Sequence, residues 1–140
     1  MKKTILVLLL SSFNVGATSL DQQYAGFFKC KTDTYIDQLT GRVHGRYFEE
    51  RKLKPCKIND EVASFCINDL YQGLPISRID IPNNFSLVLF RIDKEIEYVR
   101  NYLKLKNKIE LGSKQDFTKP YIIKDPDNKN KTLIICDLEP

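Results

Sequence analysis

"FSLVLFRIDKEIEYVRNYLKLKNK", residues 85–108, changes period partway along. Its first eight residues are almost unbroken apolar, which reads as a central strand covered on both faces. Asp93 then suits a helix N-cap, and Glu95 a first helical turn. Ile96, Val99, Tyr102 and Leu103 form an apolar stripe at helical spacing. Lys104, Lys106 and Lys108 suit a helix C-terminus, where the backbone dipole favours cations, and Gly112 marks the latest stop. The expected helix covers about residues 93–106. It packs on the sheet with its charged face in water; a membrane-surface or partner helix is the competing reading.

The neighbouring segments read as strands joined by turns. "PYIIK" and "TLIICDL" flank "DPDNKNK", a run of turn formers, and make a hairpin. Residues 65–71 and 76–81 are strands either side of the turn "QGLP", and Pro82-Asn83-Asn84 is another turn. "GFFKCKTDTYI", residues 26–36, reads as a strand with Phe28, Cys30, Thr32 and Thr34 on one face and Phe27 and Lys29 on the other. Residues 37–55 read as a loop or short hairpin, and 107–118 as a connecting loop. The sum is an α+β domain: a mostly antiparallel sheet of about six strands with one principal helix.

Four cysteines are present, Cys30, Cys56, Cys66 and Cys136. A zinc site wants pairs two to four residues apart with histidines, and a redox motif wants C-x-x-C. Neither spacing occurs, and His44 is the one histidine. An even count in a small exported domain reads as two disulfides. A hairpin centred on Glu61 sets Cys56 opposite Cys66, close enough to bridge. Cys30 then pairs with Cys136.

The compartment follows from the N-terminus. Lys2 and Lys3, the apolar run from Ile5 to Leu10 and the small-residue site Val15-Gly16-Ala17 have the layout of a secretory signal peptide. The run is far short of the ~20 residues that span a bilayer. Residues 1–17 are expected to be cleaved, leaving 18–140 as one stapled domain without a transmembrane segment, periplasmic or secreted. Net charge falls from +4 to +2 because both lysines leave with the leader. That bias is too weak to indicate nucleic acid.

Catalytic signatures are weak. Residues 125–136 resemble a calcium loop superficially, but Lys129, Asn130 and Cys136 occupy places that want a ligand, a glycine and a glutamate. G-x-S-x-G, H-E-x-x-H and phosphate-cradling glycine loops are missing from the sequence. No metal, cofactor or catalytic residue is expected. The expected function is therefore non-enzymatic: an exported protein that binds another protein, as an inhibitor or immunity protein against a cell-wall-targeting enzyme, in a monomer or small homo-oligomer. Tyr71, Leu74, Arg78, Arg42 and Arg46 are the candidate partner-binding residues. Leu74 qualifies only if its turn leaves it exposed; folded back, it joins the core. Two alternatives stand beside this. One is a hydrolase using Asp or Glu with His44, which requires His44 and a carboxylate in one concave pocket. The other is a module that binds an envelope polymer or anionic lipid through the basic residues of 42–57, which Glu49 and Glu50 dilute.

Overall fold

The computed structural model describes residues 16–84 and 86–139. The leader reading falls almost wholly outside the described residues. So does Phe85, the first residue of the quoted stretch.

In chain order the elements are α1 (Leu20–Gln23), a 3-10 turn (Phe27–Lys29), β1 (Tyr35–Ile36), β2 (Val43–His44), α2 (Arg46–Glu50), β3 (Lys57–Ile58), β4 (Val62–Tyr71), β5 (Leu74–Pro82), β6 (Leu87–Ile92), α3 (Ile96–Leu105), β7 (Tyr121–Lys124) and β8 (Thr132–Asp137). β1 and β2 form a small hairpin. The other six strands form one antiparallel sheet in the order β3-β4-β5-β6-β8-β7. This is the expected α+β architecture, with both expected disulfides, Cys30–Cys136 and Cys56–Cys66. Among the described residues no helix is long and apolar enough to cross a membrane.

Strand register sorts the side chains onto two faces. Val88, Phe90 and Ile92 of β6 lie opposite Cys136, Ile134 and Thr132 of β8, and all six are buried. On this face Val88, Phe90, Ile92, Ile134 and Cys136 join Phe65, Ile79 and Ile81 in one core. Every buried helical residue belongs to the same core: Leu20, Phe27, Tyr47, Phe48, Val99 and Leu103. Among the described residues, helices therefore cover one face only. Phe90 is the hub. Phe27 stacks flat on it at 4.3 Å, and the rings of Tyr24 and Tyr71 meet it edge-on at 4.8 and 5.2 Å. Burial pushes the phenols of Tyr24 and Tyr71 well above the usual tyrosine range.

Residues 26–36 are not one strand. Only Tyr35 and Ile36 pair in a ladder. Ahead of them, the N–H groups of Lys29 and Lys31 both donate to the Gly26 carbonyl at 3.0 Å, and Cys30 is left-handed at φ 51°. The aromatic core explains this: a tight turn drives Phe27 into Phe90, and a straight strand would not. Gly26 is needed because a Cβ there would lie 2.9 Å from the Lys31 carbonyl oxygen. Cys30 thus reaches Cys136 from a turn, with Cα atoms 5.1 Å apart.

Three other boundaries move. The β3–β4 hairpin turns between Asp60 and Glu61, with Ile58 opposite Ala63. It is not centred on Glu61. Asn59 Oδ1 accepts from the N–H groups of Glu61 and Val62, a side chain closing the turn on its own backbone. Cys56 steps out of register, donating its N–H to the Ser64 carbonyl at 2.9 Å, and so still meets Cys66. Helix α3 starts at Ile96 with Glu95 as its N-cap. Asp93 instead continues the sheet margin: its N–H donates to the Pro75 carbonyl and its carboxylate pairs with Lys131 at 2.9 Å. Finally, the β4–β5 turn is only Gln72-Gly73, both at positive φ (49° and 83°), the geometry two-residue hairpins prefer. It is fixed from two sides. Gln72 N–H donates to Asp21 Oδ1 at 2.6 Å, and the Tyr102 hydroxyl donates to the Gln72 carbonyl at 3.0 Å. The segment 37–55 keeps its short hairpin but also holds α2, whose Tyr47 and Phe48 are core residues.

Candidate functional site

The second face of the sheet carries the first candidate site. Leu87, Leu89 and Arg91 of β6 lie opposite Asp137, Ile135 and Leu133 of β8, pointing away from the core. Tyr121 and Ile123 of β7 continue this row beside Ile135 and Leu133. Leu133 and Ile135 are buried, Leu87, Leu89 and Tyr121 half-buried, and Ile123 is 38% exposed. None of them belongs to the helix-covered core. On β4 and β5 the same face turns polar. Ser64 lies opposite Asp80, and Cys66 opposite Arg78. Two ion pairs brace it: Arg78 Nε to Asp80 Oδ1 at 2.9 Å, and Arg91 Nε to Asp125 Oδ2 at 2.7 Å. The Cys56–Cys66 disulfide, Lys57, Arg78 and Arg91 line one shallow hollow of about 410 Å³. The face is thus apolar toward β6-β8-β7 and charged toward β4-β5.

Of the expected partner-binding residues, only Arg78 lies there, and its guanidinium is committed to Asp80. Tyr71 and Leu74 are buried core residues paired across the hairpin, and the Tyr71 hydroxyl donates to the Tyr24 carbonyl at 2.6 Å. Leu74 fails its condition because the turn ends before it. Arg46 pairs with Glu50 at 3.5 Å, and Arg42 is exposed beside the β1–β2 turn. Elsewhere in the basic segment, Lys52, Lys54 and Lys57 are exposed. Arg51 lies over the Tyr47 ring at 4.0 Å and donates to the Thr18 carbonyl. The segment is therefore a mixed surface, partly tied down.

His44 sits in a second hollow, of about 590 Å³, lined by Gln23, Asp33, Arg46 and Glu49 among others. Its Nδ1 is 3.7 Å from Glu49 Oε1, its Nε2 is 3.7 Å from Asp37 Oδ2, and its ring stacks on Tyr35 at 4.6 Å. The imidazole is 42% exposed and flanked by carboxylates on both sides. Hydrogen bonds hold the Asp37 carboxyl below the usual carboxylate range, first that from the Leu39 N–H. Nearby, Tyr47 donates its hydroxyl to Asp69 at 2.8 Å; burial and that contact push its phenol up to about 12. Asp125, a possible ligand in the calcium-like stretch, is spent on Arg91 and on the Asp127 N–H.

The sequence hides the Leu87-Leu89-Tyr121-Ile123 face, but a signal for it exists. Two adjacent strands, 87–92 and 132–137, are apolar on both sides, while the helical segments are too few and short to cover both. No family model, no curated protein and no solved structure matches this chain.

Proposed function

We propose that the protein is an exported, non-enzymatic binding protein that docks another protein of the cell envelope, as an inhibitor or immunity protein of a cell-wall-targeting enzyme. The observation that carries this reading is the sheet face that no helix among the described residues covers, with Leu87, Leu89, Tyr121 and Ile123 beside braced ion pairs. A preorganised apolar centre with a charged margin is what a tight protein interface uses, since little ordering entropy remains to be lost. The two disulfides suit an oxidising compartment, and the leader layout points to the periplasm. The test is affinity capture from an envelope extract with the chain beginning at Thr18, followed by an activity assay on what is held. One enzyme retained at 1:1 and blocked in activity supports the reading, provided that Leu87→Lys with Ile123→Lys releases it. Capture that ignores this pair of changes removes the face from the function.

A second reading rests on His44 sharing its hollow with Asp33 and Glu49. It makes the chain a small hydrolase in which His44 acts as general base. Turnover of an envelope substrate that His44→Ala abolishes favours it; equal turnover in wild type and His44→Ala ends it.

A further inference from the structure

The end of α3 holds a site of different character, unconnected with the sheet face. Arg100 and Lys104 on α3, and Lys108 just past its C-terminus at φ 53°, line a groove of about 460 Å³. Ile109 and Leu111 line it, half-buried, and Glu110 completes it. Ile109 and Leu111 also pack against the core, which accounts for their partial burial. Arg100 and Lys104, four apart on α3, repel each other. The dipole at the helix C-terminus favours Lys104. Neutralisation is incomplete among the described residues: Glu110 is taken by Lys119 at 3.0 Å, and Arg100 makes a long 3.6 Å contact with Glu97. The volume falls within the roughly 300–1,000 Å³ range of small-molecule sites.

From this juxtaposition of a cation row and an aliphatic trough we infer a binding site for a single-chain anionic amphiphile. The acyl chain lies along Ile109 and Leu111, shielded by the methylene stems of the basic residues, and the anionic head meets their charged ends. Charge complementarity selects the head. The trough selects the tail, because its apolar side chains leave a peptide's backbone amides without hydrogen-bond partners. Leu105, 73% exposed at the last turn of α3, adds apolar surface at the same end of the helix.

Calorimetric titration below the micelle concentration tests the site, using dodecanoate, acetate (head without tail) and glycerol monolaurate (tail without charge). The expected result is 1:1 binding of dodecanoate, none of acetate, and monolaurate at least about tenfold weaker, the ratio that one retained ion pair in a partly desolvated site supplies. Lys104→Glu with Lys108→Glu should weaken dodecanoate by about tenfold or more and leave monolaurate unchanged. Lys104→Gln with Lys108→Gln gives the same ordering with less charge reversal, should the first pair fail to fold. Equal affinity for dodecanoate and monolaurate, binding of many chains per protein, or dodecanoate binding untouched by both pairs of changes overturns the inference. So does displacement of dodecanoate by a short acidic leucine-containing peptide that binds more tightly. Leu87→Lys with Ile123→Lys should leave dodecanoate binding intact, which separates this site from the protein-docking face.

Discussion

Glu50, at the end of α2, receives Thr18 with both carboxylate oxygens. The Thr18 N–H donates to Oε2 at 2.6 Å and its hydroxyl donates to Oε1 at 3.0 Å. Arg51 closes the arrangement by donating to the Thr18 carbonyl at 2.8 Å. Ser19, the next residue, caps α1 through a capping box with Gln22. In a chain that begins at Thr18, the nitrogen held by Glu50 is an α-ammonium, and the contact is charge-assisted. Two outcomes follow for the chain that begins at Thr18. Glu50→Gln lowers its Tm, and so does acetylation of the Thr18 nitrogen. A chain that keeps Ala17 should be the less stable form.

The same contact has a pH signature. Hydrogen bonds lower the Glu50 carboxyl from its ordinary value, first from the Thr18 N–H and then from its hydroxyl. A carboxyl depressed in the folded state stabilises fully above its ordinary value of about 4.3, and the contribution disappears as pH falls through the folded value. The Tm difference between wild type and Glu50→Gln should therefore be constant near neutrality and close in acid. A difference that widens in acid contradicts the assignment.

The two disulfides should contribute unequally. Cys30–Cys136 closes a sequence separation of 106 and Cys56–Cys66 one of 10. Chain entropy gives ~4–5 kcal/mol for the first and ~2–3 kcal/mol for the second. Urea unfolding of Cys30→Ala/Cys136→Ala and of Cys56→Ala/Cys66→Ala measures the two. A larger cost for the hairpin bridge contradicts the entropic account.

Phe27 and Phe28 separate the observed turn from the expected strand. A strand puts Phe28 on the face of Cys30 and turns Phe27 away, whereas the 3-10 turn buries Phe27 on Phe90 and leaves Phe28 half-buried. Phe27→Ala should cost ~3–5 kcal/mol, and Phe28→Ala well under half of that. The reverse order supports the strand.

The long strands, the α3 stripe at Val99 and Leu103 and the β7–β8 hairpin are legible because local periodicity fixes them. The turn at Gly26 is not, because its cause is the distant ring of Phe90. Asp93 looks like a cap locally, but Pro75 and Lys131, both remote in sequence, claim its backbone and its carboxylate. The cysteine pairing was readable even though Cys30 sits on a turn, since elimination does not depend on local conformation. The face of Leu87, Leu89, Tyr121 and Ile123 is not legible, because an apolar strand in sequence does not say which of its faces a helix covers. Leu74 folds back onto the core, the outcome its condition allows, because the two-residue turn ends before it and pairs it with the buried Tyr71.

Gly73 links that turn to α3. At φ 83°, a Cβ there is conformationally strained and would run into the Tyr102 hydroxyl. Gly73→Ala should cost about 1 kcal/mol or more. The cost should shrink when Tyr102→Phe removes the clashing oxygen. An unchanged cost in that background assigns the whole effect to the backbone.

Side-chain oxidation footprinting of the protein alone and with a protein retained in the envelope capture is the most direct test of the proposed interface. The account predicts protection at Leu87, Leu89, Tyr121 and Ile123, with Tyr35, His44 and the α3 residues Tyr98 and Leu105 reacting as before. Protection centred on His44 and Tyr35, with the sheet face still reactive, would contradict it.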